Sequence, residues 1–506
     1  MRENEFDVII VGSGAGGLSA GVRIQSKNPG LKTLMIEKNN YPGGFIGGFF
    51  QKGFYFDAAA EAILSMEKGS ADSPLTEFDF NHPFTRMDVI ETYYDKDRVF
   101  HLYSDERKLI EEIKKHFPDQ AENAQDFIAA CINLRDELIE GKFMSGKLTL
   151  KKILKMILKY PNLRTYGRQN FKQFLDSFFT NEQLKNYFMI YPIWLGLTFD
   201  ELKAPAGAYL LAYSITNGLF YPKGGMEALA KKLAELFVAR GGTLKFKTEV
   251  EKILIEDKKA VGVKLKDGTI YRAKYIISNA DLKRTVLNYV GKEHFNKKYI
   301  HLIENLKQSM TGLILFLGVE NMDLSQYPAH FHIGVNPNVV EEARRGQFEL
   351  KEGLAVRITG NKDPENRVEN KDSLHALIIA PNDWNNYWQA GKNKNRQDEK
   401  YKKLKKNLEE KIIKMIEQII PEISKHITYQ SLATPLTFER YNYVTNGSWY
   451  GPRYDQNLPP LATPIENLFL AGSNIAGSGV SNSLQSGIQT ANHIVELINK
   501  EITRED

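Results

Sequence analysis

The fold of this chain is decided by the stretch FDVIIVGSGAGG, residues 6–17, together with Glu37, which follows the apolar run TLMI at residues 33–36. The apolar runs predict two strands, and the glycine-rich segment between them predicts a turn that leads into a helix. This order is the fingerprint of a dinucleotide-binding βαβ unit. In such a unit Glu37 would accept hydrogen bonds from the adenosine ribose hydroxyls.

Each glycine of the fingerprint has a separate expected task. Gly12 allows the tight turn, Gly14 lets the backbone approach a pyrophosphate, and Gly17 lets the helix pack closely on the strand. Ala15 and Gly16 start the helix, whose free N–H groups and positive dipole end would face the phosphates. The alternative is a glycine-rich turn in an unrelated α/β protein, and the motif alone does not distinguish FAD from NAD.

A second glycine pair favours FAD over NAD. Lys38 begins the segment KNNYPGG, residues 38–44, which follows the acid directly. Gly43 and Gly44 would let a second stretch of backbone come close to the pyrophosphate or the flavin ring. We therefore count Lys38, Gly43 and Gly44 among the cofactor-binding residues, with a surface Pro-Gly turn as the alternative.

The chain contains a series of short blocks that run from the first strand to the final helix. These blocks are GSGAGG (12–17), EKNNYPGG (37–44), GFYFD (53–57), YPKGGM (221–226), IISNAD (276–281), TPLT (434–437), GSWYG (447–451), NLFLAGS (467–473) and GSGV (477–480). In this order they resemble the FAD-dependent phytoene desaturase, carotenoid isomerase and retinol saturase family. The resemblance covers essentially the whole chain, although it is weaker over residues 70–210 and 320–430.

The resemblance implies an α/β fold in which two domains are interleaved along the chain. A Rossmann-like FAD-binding domain of the glutathione-reductase type would comprise residues 1–66, 219–300 and 430–506. An α+β substrate-binding domain would comprise residues 67–218 and 301–429.

A second strand–loop–helix unit is predicted near the C-terminus. Residues 467–471 form a short apolar strand, residues 472–481 a Gly- and Ser-rich loop, and residues 484–498 have helical periodicity. The positive end of this helix would stabilise an anionic reduced flavin, unless the unit is a plain βα connection. The remaining predicted cofactor-binding residues are Val250, Asn279, Gly472, Ser473, Gly479, Val480 and Ser481.

Composition excludes several other classes of function. A net charge of +5 over 506 residues is weak for a nucleic-acid-binding protein, and no module for one is visible. Cys131 is the only cysteine, so we expect non-covalent FAD, no disulfide and no metal site. The charged N-terminus is not a signal peptide, and no apolar run reaches transmembrane length, which predicts a cytoplasmic location.

Residues 141–175 contain basic residues and no acidic ones. A basic amphipathic helix is predicted near 147–160 by apolar residues that recur at helical spacing, namely Leu150, Ile153, Leu154, Ile157 and Leu158. Such a helix would bind an anionic membrane surface, which would make the protein a peripheral membrane protein. The alternative is a surface helix that is docked on the substrate domain.

The predicted reaction is hydride transfer between flavin N5 and carbon of an apolar isoprenoid or related lipid, that is, desaturation, saturation or isomerisation. Only one G-x-G-x-x-G is present, so a quinone or other carrier, rather than NAD(P)H, would exchange electrons with the flavin. Candidate acid–base residues are Glu61, Glu439 and Tyr441; Glu61 as a helix cap and Glu439 as a structural ion pair are the alternatives. The alternative functions are a flavin amine oxidase and a non-catalytic, membrane-associated flavoprotein.

Overall fold

The computed structural model describes residues 4–64, 73–78, 80–96, 98–143, 149–190, 195–391 and 393–505. The strands are β1 (Glu5–Val11), β2 (Thr33–Ile36), β3 (Gly48–Gln51), β4 (Phe54–Asp57), β5 (Ile63–Leu64), β6 (Phe84–Met87), β7 (Val89–Asp95), β8 (Arg98–Tyr103), β9 (Leu219–Pro222), β10 (Thr243–Lys245), β11 (Val250–Glu256), β12 (Lys259–Leu265), β13 (Ile270–Ser278), β14 (Gly312–Glu320), β15 (His330–Ile333), β16 (Leu354–Ile358), β17 (Lys371–Ile379), β18 (Ile427–Ala433) and β19 (Leu468–Leu470). The helices are α1 (Ala15–Lys27), α2 (Glu106–His116), α3 (Ala121–Glu140), α4 (Leu150–Lys159), α5 (Pro161–Tyr166), α6 (Phe171–Asp176), α7 (Glu182–Ile190), α8 (Ala204–Asn217), α9 (Met226–Ala239), α10 (Leu282–Arg284), α11 (Lys297–Asn305), α12 (Val339–Arg344), α13 (Thr359–Lys362), α14 (Glu399–Glu417), α15 (Pro435–Asn442), α16 (Ser473–Ala476) and α17 (Val480–Glu505).

The chain divides into two compact units, each assembled from separate segments. Unit 1 comprises Met1–Thr85, Tyr221–Thr311 and Ala433–Asp506, and unit 2 comprises Arg86–Phe220 and Gly312–Leu432. The assignment of FAD binding to the segments of unit 1 and of substrate binding to those of unit 2 stays a prediction.

Unit 1 contains a sheet whose central strands are parallel. Its order is β10-β2-β1-β13-β12-β11, with β19 paired to β13 beyond the main path. Strand β1 runs parallel to both β2 and β13, and β13 runs parallel to β19. The residues of β1 from Val8 to Val11 are buried, as a continuous apolar run requires in the middle of a parallel sheet. The predicted α/β fold with its βαβ unit is thus confirmed.

The C-terminal strand–loop–helix unit of unit 1 differs in detail from the prediction. The strand is β19, but the stretch predicted as a loop at residues 472–481 contains helix α16 and the first residues of α17. Helix α17 therefore begins at Val480, four residues before the apolar periodicity starts at Leu484. After Val480 the first turn is polar (Ser481, Asn482 and Ser483), and a single apolar residue gives no periodicity that would predict the helix there.

Unit 2 contains a largely antiparallel sheet of order β18-β14-β17-β16-β15-β7-β8. Strands β14 and β17 pair antiparallel over nine residues, from Gly312 opposite Ile379 to Glu320 opposite Lys371. Strand β15 pairs antiparallel with β16 and parallel with β7.

The basic amphipathic helix of unit 2 is α4, which is shorter than the predicted range 147–160, and residues 147 and 148 of that range lie outside the described residues. Thr149 caps it by accepting a hydrogen bond from the Lys152 N–H. None of its ten residues is buried. Leu150, Leu154 and Leu158 are 86%, 58% and 73% exposed. In the described parts of the chain, no helix combines the length and apolar character needed to cross a membrane.

Candidate cofactor site

The glycine-rich turn of unit 1 joins β1 to α1. Gly12 has a φ of 94°, a conformation that favours glycine, and its N–H donates to the Ile36 carbonyl over 2.8 Å. Gly14 is the N-cap of α1, and Ala15 is the first helical residue. Since Gly14 has no side-chain cap, the N–H groups of the first turn lack this partner and suit an anionic ligand.

Two glycines of the turn are required by close backbone packing. A Cβ on Gly17 would lie 2.1 Å from the Gly12 carbonyl oxygen, and one on Gly16 would lie 2.5 Å from the Gly472 nitrogen. A Cβ on Gly487 of α17 would lie 2.1 Å from the Gly16 carbonyl oxygen. Helix α17 therefore packs directly against the start of α1, a contact that sequence reasoning missed because Gly487 lies outside every recognised motif.

Glu37 lies at the end of β2 and is buried next to the turn. Its carboxylate accepts hydrogen bonds from the Ser13 N–H at 3.0 Å, the Ser13 hydroxyl at 2.9 Å and the Asn39 N–H at 2.8 Å. A carboxylate has about four acceptor positions, so one remains for a ribose hydroxyl. Ser13 orients this acid, a role that sequence reasoning did not assign to it.

The second glycine pair lies against the first turn. The Gly43 N–H donates to the Ser13 carbonyl at 2.8 Å, and Gly43 forms a bridge with Gly14. Gly43 and Gly44 have φ values of 110° and 56°. A Cβ on Gly44 would lie 3.8 Å from the Gly14 Cα, its only neighbour within 4 Å. Two glycine loops thus face each other with little side-chain bulk between them, which is the space that a pyrophosphate needs.

The Lys38 side chain turns toward α15 rather than toward the glycine loops. Its ammonium group donates to the Tyr441 carbonyl and to the Asn39 side chain, and it lies 4.2 Å from the centre of the Tyr443 ring. Burial lowers the pKa of Lys38. The structure therefore brings the predicted residues Lys38 and Tyr441 together, but through the Tyr441 backbone. The Tyr441 side chain is 46% exposed.

Asn279 follows β13 and lies at the centre of the glycine-rich segments. Its N–H donates to the Val11 carbonyl at 2.9 Å, and its side-chain amide donates to the Gly12 carbonyl at 3.4 Å. A Cβ on Gly472 would lie 2.4 Å from the Asn279 Oδ1. Ser473, the first residue of α16, directly follows this contact.

The start of α17 is the third glycine segment of the site. Gly479 has a φ of 106°, and a Cβ there would find only one neighbour, 3.8 Å away. Val480 opens the helix, and the Ser481 hydroxyl donates to the Leu64 carbonyl at 2.9 Å. The 26-residue helix therefore presents its positive end beside open space.

Val250 is connected to the candidate cofactor site by a residue that precedes it in the chain. It is a buried residue at the start of β11, and it pairs with Leu265. Two residues earlier, the Thr248 N–H donates to the Glu37 carbonyl at 2.9 Å. This bond ties the segment before Val250 to the end of β2, where the ribose is expected.

Asp57, at the end of β4, accepts hydrogen bonds from several segments of unit 1, a role that sequence reasoning did not assign to it. The buried Asp57 carboxylate accepts hydrogen bonds from the Tyr221 hydroxyl at 2.7 Å, the Tyr55 hydroxyl at 2.8 Å and the Met226 N–H at 3.0 Å. It thereby fixes the N-terminus of α9. Burial and the Asp57 charge raise the pKa of Tyr55 well above its usual value. The acidic residue at the end of the apolar stretch FYFD is the sequence feature from which this structural role could have been predicted.

The candidate acids lie in different settings. Glu61 is buried in the loop between β4 and β5, and its alternative role as a helix cap stays a prediction. Glu439 is half-buried on α15. The catalytic roles of Glu61, Glu439 and Tyr441 stay predictions.

These features fit FAD. The glycine loops around Gly14 and Gly43 lie together, the buried carboxylate of Glu37 is oriented beside the first loop, and α1 begins in that loop. Within the described ranges, no group of three or more His, Cys, Asp or Glu side chains could bind a metal ion.

Comparison with known proteins places the chain among flavoproteins. The family model for flavin-containing amine oxidoreductases matches residues 15–495. The all-trans-retinol 13,14-reductase of Danio rerio is 26% identical over 96% of this chain and 85% of its own. A chloroplastic prolycopene isomerase of Daucus carota is 26% identical over 97% of this chain and 80% of its own.

Among solved structures, an oxidoreductase from Methanosarcina mazei superposes with a TM-score of 0.61 and 17% sequence identity. The superposition covers 96% of this chain and 100% of that one. At this identity the likeness concerns the fold.

Proposed function

We propose, from the premise that the chain belongs to the flavin-containing amine oxidoreductase family, that this FAD-dependent oxidoreductase acts on carbon–carbon bonds of an apolar isoprenoid. The resemblance to carotenoid isomerases and retinol saturases that was predicted from the sequence blocks is confirmed. Bound FAD supplies the capacity to accept or donate a hydride.

One observation carries the choice of substrate class. The similarity to the retinol reductase and the prolycopene isomerase extends over 96% and 97% of this chain, so it includes the segments of unit 2. A likeness confined to the glycine blocks would fit almost any flavoprotein, because those blocks recognise the nucleotide. A likeness through the second unit favours a shared class of substrate, here a retinoid or carotenoid polyene.

The protein's own residues would orient FAD and exclude water from it. Glu37, positioned by Ser13, would bind the ribose, and the loops around Gly14 and Gly43 would surround the pyrophosphate. The positive end of α17 would lie at the flavin ring and favour its anionic reduced form. Glu61, which is buried in the loop before β5, is a candidate to exchange a proton with the substrate.

Anaerobic reduction of the purified protein tests the substrate class. The oxidised yellow protein is mixed without oxygen with a polyene panel (phytoene, lycopene and retinol) or with an amine panel (putrescine and cyclohexylamine), and the flavin absorbance is followed. We expect bleaching with a polyene and none with the amines. Bleaching by an amine alone would favour amine oxidation. If neither class bleaches the oxidised protein, and no polyene reoxidises or is isomerised by the reduced protein, a non-catalytic flavoprotein is favoured.

The electron carrier is proposed to be a quinone or another carrier of that kind. The described sheet of unit 1 contains one βαβ fingerprint, and the sequence has no second G-x-G-x-x-G for NAD(P)H. NADPH should therefore reduce the flavin slowly, and reduced protein should be reoxidised rapidly by a soluble quinone. Rapid stopped-flow reduction by micromolar NADPH would contradict this proposal.

We also propose that α4 binds anionic membranes, because its exposed apolar side chains stand among lysines. Leu150, Leu154 and Leu158 would each contribute at most about 1.5–3 kcal/mol on full burial in the acyl region. Each neighbouring lysine adds about 1 kcal/mol at an anionic surface. Together these contributions suffice for reversible binding that salt weakens. The membrane-bound protein would then take an apolar substrate directly from the bilayer in which that substrate dissolves.

Liposome co-sedimentation tests this surface. Binding should require anionic lipid, decrease as salt rises, and weaken for Leu158→Glu and for the pair Lys151→Glu and Lys155→Glu. Val368→Glu is the matched control, since Val368 is 58% exposed in unit 2 but lies outside α4. Ile153 is half-buried, so its substitution would also disturb packing. If the wild type does not co-sediment with liposomes of any composition, α4 is a surface helix without a membrane-binding role.

A further inference from the structure

Helix α15 ends in a strained turn that contacts segments of the candidate cofactor site. Tyr443, which caps the C-terminal end of α15, has a φ of 55°, and Asn446 has a φ of 57°. A left-handed backbone is unfavourable for a residue as bulky as tyrosine, and it persists only where surrounding contacts fix it. Residues 441–446, which we call the α15 turn, must therefore be held by specific partners.

Two of these partners directly follow Glu37 in the chain. The Lys38 ammonium group donates a hydrogen bond to the Tyr441 carbonyl, and the Asn39 side-chain amide donates to the same carbonyl at 3.4 Å. The Lys38 ammonium group also lies 4.2 Å from the centre of the Tyr443 ring. One short segment thus carries the expected ribose ligand Glu37 and two side chains that bind the α15 turn.

A second set of partners follows Asn279. The Asp281 carboxylate accepts hydrogen bonds from the Thr445 N–H at 2.9 Å and from the Thr445 hydroxyl at 2.8 Å. Arg284, at the end of α10, donates from its Nε to the Tyr443 carbonyl at 3.2 Å, and its guanidinium lies 4.2 Å from the centre of the Tyr443 ring. The α15 turn is therefore attached to two segments of the candidate cofactor site.

The middle of α15 packs near the second glycine loop. The ring of Phe438 is centred 6.3 Å from the ring of Phe45, which directly follows Gly44, and 5.8 Å from the ring of Trp449. Phe438 is buried. Helix α15 thus contacts the candidate cofactor site through its middle as well as through its turn.

The direction of the Lys38 side chain distinguishes two roles for this residue. Its ammonium group contacts the Tyr441 carbonyl, the Asn39 side-chain oxygen and the Tyr443 ring. An ammonium group has three N–H donors, so these contacts can occupy all of them. The geometry therefore favours a role for Lys38 in holding the α15 turn over direct binding of the cofactor.

We propose that Lys38 is a positioning residue that couples binding of the FAD ribose at Glu37 to the placement of the α15 turn. The Glu37 carboxylate accepts a hydrogen bond from the Asn39 N–H at 2.8 Å, so a ribose hydroxyl bound to this carboxylate would restrict residues 37–39. Through Lys38 this restriction extends to the Tyr441 carbonyl. FAD therefore makes the α15 turn more rigid. The inference rests on the FAD site and not on the choice of substrate.

Hydrogen–deuterium exchange with and without FAD tests the coupling. The exchange of peptides that cover the α15 turn is measured by mass spectrometry in FAD-free and FAD-saturated protein. We expect FAD to slow this exchange at least about fivefold in the wild type, the lower end of typical coupling between sites. Lys38→Met should lose most of this slowing when saturated with FAD, and Lys38→Arg, which keeps a cation with N–H donors, should retain part of it. No slowing in the wild type, or the same slowing in Lys38→Met, would overturn the proposal.

The affinity for FAD separates this role from a direct contact. Because coupling is reciprocal, the FAD affinity of Lys38→Met should fall by about the factor that the slowing loses. A lower affinity with undiminished slowing would overturn the proposal and assign Lys38 to the cofactor itself. Lys27→Met is the control, because Lys27 is exposed at the far end of α1 and should change neither quantity.

A second variant keeps the test decisive if Lys38→Met does not fold without FAD. Asn39→Ala removes the longer hydrogen bond to the Tyr441 carbonyl and retains the backbone N–H that Glu37 accepts. It should lose a smaller part of the slowing, and unchanged slowing would overturn the proposal. Wild-type protein that binds FAD but neither exchanges electrons with a polyene nor isomerises one would contradict the proposed function and leave this inference intact.

Discussion

Substitution by alanine should affect the stability of the FAD-free protein at only one of two glycines in the glycine-rich turn, although FAD affinity should fall at both. Gly14 has a φ of −68°, which any residue adopts, and a Cβ there would meet only the Asn279 side chain, at 2.8 Å from its Nδ2. That amide can move by a few tenths of an ångström. Gly14→Ala should therefore change the stability of the FAD-free protein by less than about 0.5 kcal/mol. Its methyl group occupies the approach to the pyrophosphate, so we expect FAD affinity to fall at least tenfold, about 1.4 kcal/mol.

Gly17→Ala should damage the fold itself. Its Cβ would lie 2.1 Å from the Gly12 carbonyl oxygen, which belongs to the backbone of the turn. To reach an ordinary contact distance, α1 must move by about 1 Å relative to the turn, and overpacking of this kind costs about 1–3 kcal/mol or more. Both the stability of the FAD-free protein and its FAD affinity should therefore fall.

The assay combines thermal unfolding of the FAD-free protein with fluorescence titration by FAD. Gly30→Ala is the control, because a Cβ at Gly30 would meet nothing within 4 Å, and it should change neither quantity. Unchanged FAD affinity in Gly14→Ala would refute the assignment of Gly14 to the pyrophosphate. Unchanged stability in Gly17→Ala would refute the packing argument.

Three further predictions concern single buried side chains. Glu37→Gln should weaken FAD binding by roughly 10- to 100-fold, because a charged acceptor is worth about 1.5–3 kcal/mol, and equilibrium titration checks this. Asp57→Asn replaces one of the two oxygens that accept hydrogen bonds from Tyr55, Tyr221 and Met226 with an amide donor, so calorimetry should find a melting temperature lowered by the equivalent of about 1–3 kcal/mol; an unchanged temperature would refute the role of Asp57. Burial makes the pKa of His330 lower in the folded protein than in the unfolded chain, so the unfolded chain binds the proton at a higher pH. The free energy of unfolding should therefore decrease as the pH falls below about 6.5, by up to about 1.4 kcal/mol per pH unit. The free energy of urea unfolding should therefore change less between pH 7 and pH 5 in His330→Phe than in the wild type. The same pH dependence in both proteins would contradict this.

Short sequence patterns predicted the strands and the helix that form the candidate cofactor site. The apolar runs before Gly12 and before Glu37 each predict a strand, and the structure has β1 and β2 at these places. Helix α4 was likewise predicted from the helical spacing of its apolar residues.

Contacts between distant segments were not visible in the sequence. The close approach of Gly487 to Gly16, and of Asn279 to Gly472, depends on how helices and loops pack, which no local pattern encodes. The same is true of Lys38, whose side chain turns to α15 because a carbonyl there accepts its hydrogen bond. The buried residues His330, Arg357 and Glu91 meet only through the strand order of the sheet in unit 2, so sequence reasoning did not single them out.

The most direct measurement of the central claim is the chemical fate of a polyene incubated with the FAD-loaded protein in each oxidation state of the flavin. Phytoene, prolycopene and retinol are each mixed anaerobically with oxidised protein and with dithionite-reduced protein, and the products are separated by chromatography and identified by mass and absorbance. The account predicts that at least one polyene gains, loses or isomerises a carbon–carbon double bond, with one flavin oxidised or reduced for each bond gained or lost. Recovery of every polyene unchanged from both oxidation states, by protein that binds FAD, would contradict it.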